Sequence, residues 1–519
     1  MDLQSIKPEE RSEWNKLEFV LNYLNPCQNR IEKLRMKMRR KLELFGEYQF
    51  TVGLDNCGEP LRVSKEEMEK AIANLKEIAH SIGAGLLVLN TQSWEKGVTA
   101  QVIVRGREMQ SVLMDVRVAL IGESQVGKST LIGAFTKGVK ENGKGSARNA
   151  ILLHQHERKL GFTATVTQHL LSFDSNGKIL RKKSINPVSS ASKFLSLIDL
   201  PGKIKYRNTL LYGLISQSPD YAILMIDPSN FQQTQNQDYL SLIMALNLPV
   251  FIVLSKCEKV SSNNHDQVLD FLQSELCKRN KILMEVLNED DVVLYSKTFP
   301  VENIVPVFCV SFKTQKNTDL LVSFFNLLPA INCWDKGSAT EFYLEKWFLR
   351  KNGTVLCGIM MKGKVRVGQQ LLLGPDSFGN FKEITVLCIR VKETEVFRVN
   401  AGQFCSFLVK DPGHLRRGMV LIDLDSIPRT SYEFECLIWT IDSGQPIRNI
   451  KSTYKPLIYT QTITQCVYII SGPLTIDPNT IMKFRLRFLY HPEYITNGTR
   501  IMIKDTFMTA LGTITEIKS

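Results

Sequence analysis

Val116-Arg117-Val118-Ala119-Leu120-Ile121 runs directly into Gly122-Glu123-Ser124-Gln125-Val126-Gly127-Lys128-Ser129. The first six residues are short, mostly apolar and β-branched, as a buried strand requires. The next eight satisfy G-x-x-x-x-G-K-[ST], and Thr130-Leu131-Ile132-Gly133-Ala134-Phe135 can open a helix. Strand, glycine-bounded loop and helix in that order make a phosphate site. Backbone N–H groups of the loop from Gly122 through Glu123, Ser124, Gln125, Val126 and Gly127 face the phosphates, and Thr130 completes the contact. Lys128 reaches the β and γ oxygens, while the Ser129 hydroxyl is placed for Mg²⁺.

Working outward, buried-type strands recur at Phe194–Ile198, Tyr221–Ile226, Val250–Leu254 and Val305–Val310, separated by helical stretches. That alternation predicts βαβ units and a parallel sheet covered by helices on both faces. Asp174-Ser175-Asn176-Gly177 reads as a hairpin turn between two further strands. Upstream, Asn25-Pro26 reads as an N-cap with proline at the first helical position, followed by the stripe Ile31, Leu34, Met38, Leu42 and Phe45. A second helix starts at Ser64 with a capping box to Glu67, carries Met68, Ile72, Leu75, Ala79 and Ile82, and stops at Gly83. Tyr48–Val52 and Leu86–Leu89 read as strands. After Trp334 helical periodicity gives way to short strands punctuated by glycine, which suits two successive β-barrels. The expected units are 1–111 (a small α+β domain), 112–335 (an α/β P-loop domain), 336–429 and 430–519 (all-β barrels).

A chain of 519 residues holds several cores, and 44% apolar with 23% charged residues is ordinary for a soluble globular protein. The net charge of +13 points toward an anionic partner, RNA first. Eleven cysteines stand singly with no C-x-x-C pair, which suits a reducing compartment and argues against a disulfide frame or a zinc knuckle. Residues 1–10 lack the apolar core of a signal peptide and no apolar run approaches membrane-spanning length, so a cytoplasmic location away from membranes is expected. The sequons at Asn352 and Asn497 then carry no sugar.

Asp199-Leu200-Pro201-Gly202 closes an apolar strand. Pro-Gly alone would read as a turn. After a phosphate loop, Asp199 can hold Mg²⁺ through water and the Gly202 amide can meet a γ-phosphate. Thr163 sits in the polar connection where a switch would offer a hydroxyl to the metal. Ser255-Lys256-Cys257-Glu258 follows a strand, where an Asn/Thr-Lys-x-Asp element would read guanine: a carboxylate accepts N1–H and N2–H₂, and a lysine stem lies along the base. Ser311 follows the next strand and can support the O6 edge through the backbone beside it.

With these motifs in order, the chain resembles the elongation-factor-like GTP-binding protein 1 and 2 family, translational GTPases related to elongation factor Tu. The likeness extends through Asn25-Pro26, Val63–Met68, Arg148 to Phe173, Tyr206 to Gly213, Ala245–Val250, His491-Pro492-Glu493-Tyr494 and Ala510–Ile514. It implies a variable N-terminal domain, a G domain and two barrels. It also implies Mg²⁺-dependent GTP hydrolysis, with GTP and GDP as ligands, in a monomer working with RNA, tRNA or the ribosome. Four positions depart from the family pattern. Lys203 follows Gly202 where relatives carry the histidine that positions the attacking water, and a charged lysine cannot accept from water. Gln125 replaces an acid, Ser255 replaces Asn or Thr, and Glu258 replaces the base-reading aspartate with a longer side chain. Two further readings therefore stay open: a catalytically impaired adaptor that binds nucleotide and docks RNA or ribosome, and a P-loop ATPase.

Weaker signals remain. His154 and His156 have the spacing of a strand zinc pair without a third ligand. Arg30, Lys33, Arg35, Lys37, Arg39, Arg40 and Lys41 make the first helix basic, fitting either a solvated face or an RNA contact. Arg181-Lys182-Lys183 reads as the solvated end of a hairpin strand.

Overall fold

The computed structural model describes residues 23–55, 59–95, 97–106, 114–152, 157, 163, 165–181, 191–259, 262–331, 335, 337–392, 394–440, 448–449, 455–473, 475–476, 480–504 and 509–518. His154, His156, Lys182, Lys183, Trp334 and the first ten residues lie outside them.

The first helix, α1 (Gln28–Phe45), begins after Cys27, not at Pro26. Its first closed turn runs from Ile31 N–H to the Cys27 carbonyl at 3.0 Å, so Asn25-Pro26 precedes the helix. Gly46 stops it at φ 77°, donating its N–H to Leu42. Strand β1 (Glu47–Val52) follows. Helix α2 (Lys65–Ser81) carries the expected capping box between Ser64 and Glu67, with Met68, Leu75 and Ala79 buried. Strands β2 (Ala84–Trp94) and β3 (Gly97–Gly106) complete an antiparallel sheet in the order β1-β3-β2. Its central strand, β3, has no counterpart in the sequence reading.

The next sheet is built from β4 (Met114–Ile121), β5 (Thr167–Phe173), β6 (Ile179–Leu180), β7 (Lys193–Asp199), β8 (Tyr221–Ile226), β9 (Val250–Leu254), β10 (Ile282–Glu285) and β11 (Ile304–Cys309). Their spatial order is β10-β11-β9-β8-β4-β7-β5-β6. The five strands expected to be parallel, β4, β7, β8, β9 and β11, are so, and the hairpin expected at Asp174–Gly177 joins β5 and β6, with β5 antiparallel to β7 as well. The link from β5 to β7 passes through a hairpin at Asp174, whose Oδ1 accepts N–H groups of Asn176 (2.9 Å) and Lys178 (2.8 Å). A hairpin returns a strand antiparallel, whereas a parallel return needs a longer crossover. Helices α3 (Lys128–Lys137), α4 (Arg207–Ser216), α5 (Gln233–Ala245), α6 (Ser262–Cys277), α7 (Glu289–Thr298) and α8 (Thr318–Leu327) cover both faces. Leu131, Phe135 and Phe325 pack on one face, and Leu210, Leu240 and Leu272 on the other.

Two closed β units follow. In the first, Gln370–Gly374, Val420–Asp423, Glu341–Arg350, Gly353–Lys362, Phe404–Val409 and Lys382–Val391 lie side by side, and the first pairs back onto the last. The second is a closed barrel of Glu433–Thr440, Ile481–Phe488, Ile463–Ser471, Leu457–Thr460, Arg500–Lys504 and Thr509–Lys518. Phe434, Cys436 and Ile438 alternate into its core, as a period of two demands. Helix α4 joins the two regions: Leu210 and Leu214 share one apolar cluster with Tyr459, Met502 and Leu511 of that barrel. No described helix is long and apolar enough to cross a membrane.

Candidate functional site

Parallel strands deliver their carboxyl ends to one edge of a sheet, and a crevice outside those ends is where open α/β folds take ligands. Here the loops after β4, β7, β9 and β11 line a cavity of about 450 Å³, with Ser124–Thr130, Thr163, Gly202, Ser255, Lys256, Glu258, Phe312 and Lys313 on its wall. The loop after β4 can fold this tightly because of its glycines. Gly122 has φ 146°, and a Cβ there would lie 2.3 Å from the Met225 carbonyl. Gly127, at φ 104°, caps α3 and aims the first amides of that helix into the cavity. Gln125 adopts φ 68°, a left-handed conformation that costs an ordinary residue about 1 kcal/mol.

Lys128 is buried, its Nζ donating to the carbonyls of Gly122 (2.8 Å) and Glu123 (2.6 Å). Burial pushes its ammonium down to about 8, while Asp199 and Glu123 pull in the opposite direction. Three residues singled out for metal converge. Asp199 Oδ2 accepts from Ser129 Oγ at 2.7 Å and from Thr163 Oγ1 at 3.0 Å, and the two hydroxyls lie 3.0 Å apart. Asp199 Oδ1 is buried with no hydrogen-bond partner. Burial raises the Asp199 carboxyl, opposed by Lys128 and by both hydroxyls. Two hydroxyls and a carboxylate with one orphaned oxygen form a hard, all-oxygen donor set, which suits Mg²⁺.

Gly202 closes the phosphate end. A Cβ on it would stand 2.5 Å from both Lys128 Nζ and the Gly122 carbonyl, so no side chain fits. Its own carbonyl accepts from the Tyr239 hydroxyl at 3.2 Å. The next residue leaves the cavity: Lys203 lines a separate small cleft with Arg207, Asp238 and Tyr239. Glu123 also turns its side chain away, accepting from Asn236 Nδ2 at 2.8 Å.

At the other end, Ser255 is fully buried and its Oγ donates to the Val126 carbonyl at 2.6 Å, tying β9 to the phosphate loop. Lys256, at φ 57°, sends Nζ to the Gln125 carbonyl (2.8 Å) and to Asp227 Oδ2 (2.6 Å). Burial tends to raise the Asp227 carboxyl, but hydrogen bonds from Lys256 and Ser229 outweigh it and hold it below the ordinary range. Glu258 is exposed on the one-turn helix Cys257–Lys259. Ser311 is buried off the wall, its Oγ accepting the Thr314 N–H at 3.1 Å, and Phe312 and Lys313 line the cavity in its place.

Sequence reasoning missed Asp227, whose only local signal is an acid directly after the buried strand β8, and missed Arg148, Phe312 and Lys313 on the wall. It also missed His169 on β5, whose Nε2 lies 3.1 Å from Thr167 Oγ1 and whose pKa is pushed down by burial while Asp199 opposes.

A family model described as the elongation factor Tu GTP-binding domain matches residues 115–331. GTP-binding protein 1 of Xenopus laevis is 30% identical to this chain, covering 96% of it and 78% of the relative. GTP-binding protein 2 of Homo sapiens is 28% identical over 99% of this chain and 88% of its own length. Among solved structures, the GTP-bound Ski7 GTPase-like domain of S. cerevisiae matches with TM-score 0.56 at 15% identity, covering 78% of this chain and 97% of that one. Translation elongation factor SelB from Methanococcus maripaludis, with the GTP analogue GppNHp, matches at 0.55 and 16%, over 78% and 80%. A bacterial selenocysteine-specific elongation factor gives 0.55 and 19%, over 78% of this chain but only 58% of that one. At these identities the structural likeness speaks for the fold alone.

Proposed function

The chain belongs to the GTP-binding protein 1 and 2 family, related to elongation factor Tu, and from that premise we propose that its cavity binds GTP with Mg²⁺ and hydrolyses it in RNA-, tRNA- or ribosome-linked work. One observation carries this reading. Ser129 and Thr163 meet on Asp199, whose second oxygen is orphaned, beside a buried Lys128. Ser129, Thr163 and Asp199 would hold Mg²⁺, which would supply positive charge against the charge that develops on the phosphates. Backbone amides from Gly122 to Thr130 cradle the phosphates, Lys128 donates to the β and γ oxygens, and the Gly202 amide meets the γ-phosphate. Lys256 flanks the base, Glu258 reads its edge, and Ser255 and Ser311 brace the two loops that carry them. We assign the work to a monomeric, cytoplasmic chain of four units, 1–111, 112–335, 336–429 and 430–519.

Calorimetry with GTP and Mg²⁺, and single-turnover hydrolysis with and without ribosomes, test the proposal. Saturable uptake and turnover, both abolished by Lys128→Ala, are expected; hydrolysis no faster than in that variant rejects the enzyme. A second reading, an adaptor with impaired turnover, is favoured by Lys203 standing outside the cavity wall. Under it, Lys203→His raises the rate sharply. A fall instead means that Lys203 itself has acquired a role in turnover.

A further inference from the structure

We propose that Cys257, Cys309, His265 and Glu285 form a zinc site at the base-reading end of the cavity. The four residues come from the turn after β9, the last position of β11, helix α6 and the last position of β10. His265 Nε2 lies 2.9 Å from Cys309 Sγ, Cys309 Sγ lies 3.3 Å from Glu285 Oε1, and His265 Nε2 lies 3.9 Å from Glu285 Oε1. A tetrahedral zinc with ordinary bond lengths separates sulfur, nitrogen and oxygen ligands by about 3.4–3.6 Å. Small side-chain rotations bring the observed triangle to that spacing. The Cys257 thiol donates to the Leu254 carbonyl at 3.2 Å beside the Cys309 thiol, outside the triangle of His265, Glu285 and Cys309, and would rotate inward to become the fourth donor.

The frame is rigid where it has to be. The Cys257 N–H reaches the Val310 carbonyl at 3.4 Å and the Val310 N–H reaches Leu254 at 2.8 Å, so both cysteines ride on paired strand ends. His265 Nδ1 lies 3.6 Å from Asp266 Oδ1, from where a small rotation would bring the carboxylate into position to orient a metal-bound imidazole. Side-chain exposures of 24% for His265 and 37% for Glu285 leave an entry path. Two sulfurs, an imidazole and a carboxylate select a borderline-soft ion, which separates this site from the all-oxygen set at Asp199. Cys257 stands between Lys256 and Glu258, so on the reading of those residues proposed above, zinc pins the turn that meets the base.

Metal uptake is read without nucleotide, so its outcome is independent of that reading. The full chain, reduced and stripped with a chelator, is titrated with Zn²⁺ or Co²⁺ in excess Mg²⁺. One tightly held zinc per chain is expected, with a Co²⁺ spectrum showing thiolate charge-transfer and strong tetrahedral d–d bands. Cys309→Ser weakens uptake at least 100-fold, Cys257→Ser (on the partly exposed turn) weakens it as well, and Cys277→Ser leaves it unchanged. A Co²⁺ spectrum of the unaltered chain without a thiolate band overturns the proposal, and so does uptake that survives both Cys257→Ser and Cys309→Ser.

Discussion

The two ends of the cavity are built on different principles. At the phosphate end, Lys128, Thr163 and Asp199 are buried, and Gly202 leaves no room for a side chain. At the base end, Lys256 is 33% exposed and Glu258 stands on an exposed single turn. A buried, mutually bonded set loses its geometry when one member changes, because each remaining group is left unpaired away from water. An exposed set tolerates exchange, since water replaces what is lost. Exposure alone does not place the departures expected from the sequence: Glu258 is exposed, but Ser255 is fully buried and Gln125 lies in the phosphate loop itself.

The hardest blow to that contrast is Lys128→Ala. It removes the buried cation proposed to meet the β and γ oxygens, and takes a donor from the Gly122 and Glu123 carbonyls. GTP affinity should fall at least about 100-fold, equivalent to about 2.8 kcal/mol, with the melting profile still cooperative. Titration calorimetry reads the first quantity and thermal unfolding the second. Gly202→Ala is next. Its methyl group meets Lys128 Nζ and the Gly122 carbonyl at 2.5 Å, so the lysine or the loop has to shift. A shift of that size costs about tenfold or more in affinity or rate; unchanged binding and turnover would show that the loop has slack to spare.

Proton linkage sharpens the same end. Burial holds free Lys128 near 8, and bound phosphate favours its charged form, so binding takes up a proton. Affinity is then full below pH 7 and declines as pH rises through 8. Between pH 7 and 9 the fall should be about tenfold. Calorimetry in buffers of different ionisation enthalpy counts the proton, and an uptake of zero at pH 9 contradicts the assignment.

What the sequence disclosed follows the same division. Gly122 to Ser129 is legible because one contiguous stretch must combine a strand end, positive-φ glycines and a helix start. Asp199 is legible because it ends an apolar run. The Lys256–Asp227 pair is not: its members lie 29 residues apart and meet only because β8 and β9 end side by side. Cys257, Cys309, His265 and Glu285 show the limit more sharply. Cysteines that stand singly in sequence argue against a metal site, and only the pairing of β9, β11 and β10 gathers them. Strand order decides such contacts, and the sequence shows where strands lie, as at the hairpin joining β5 and β6, without showing which strand ends finish side by side.

The smallest effect belongs to the exposed end. On the proposed reading, Glu258 is one methylene longer than an aspartate that would span guanine N1–H and N2–H₂, so its carboxylate would have to bend back to make both bonds. Glu258→Asp withdraws it by one carbon–carbon bond. Preference for GTP over ATP should rise about five- to tenfold, near 1 kcal/mol, the scale of one hydrogen bond gained at a partly solvated site. ATP affinity itself should barely move, because the phosphates never meet this residue. Competition of GTP, ATP and XTP for one fluorescent analogue reads the change. Equal gains for all three would mean that the substitution acts through the turn's conformation and not through the base edge.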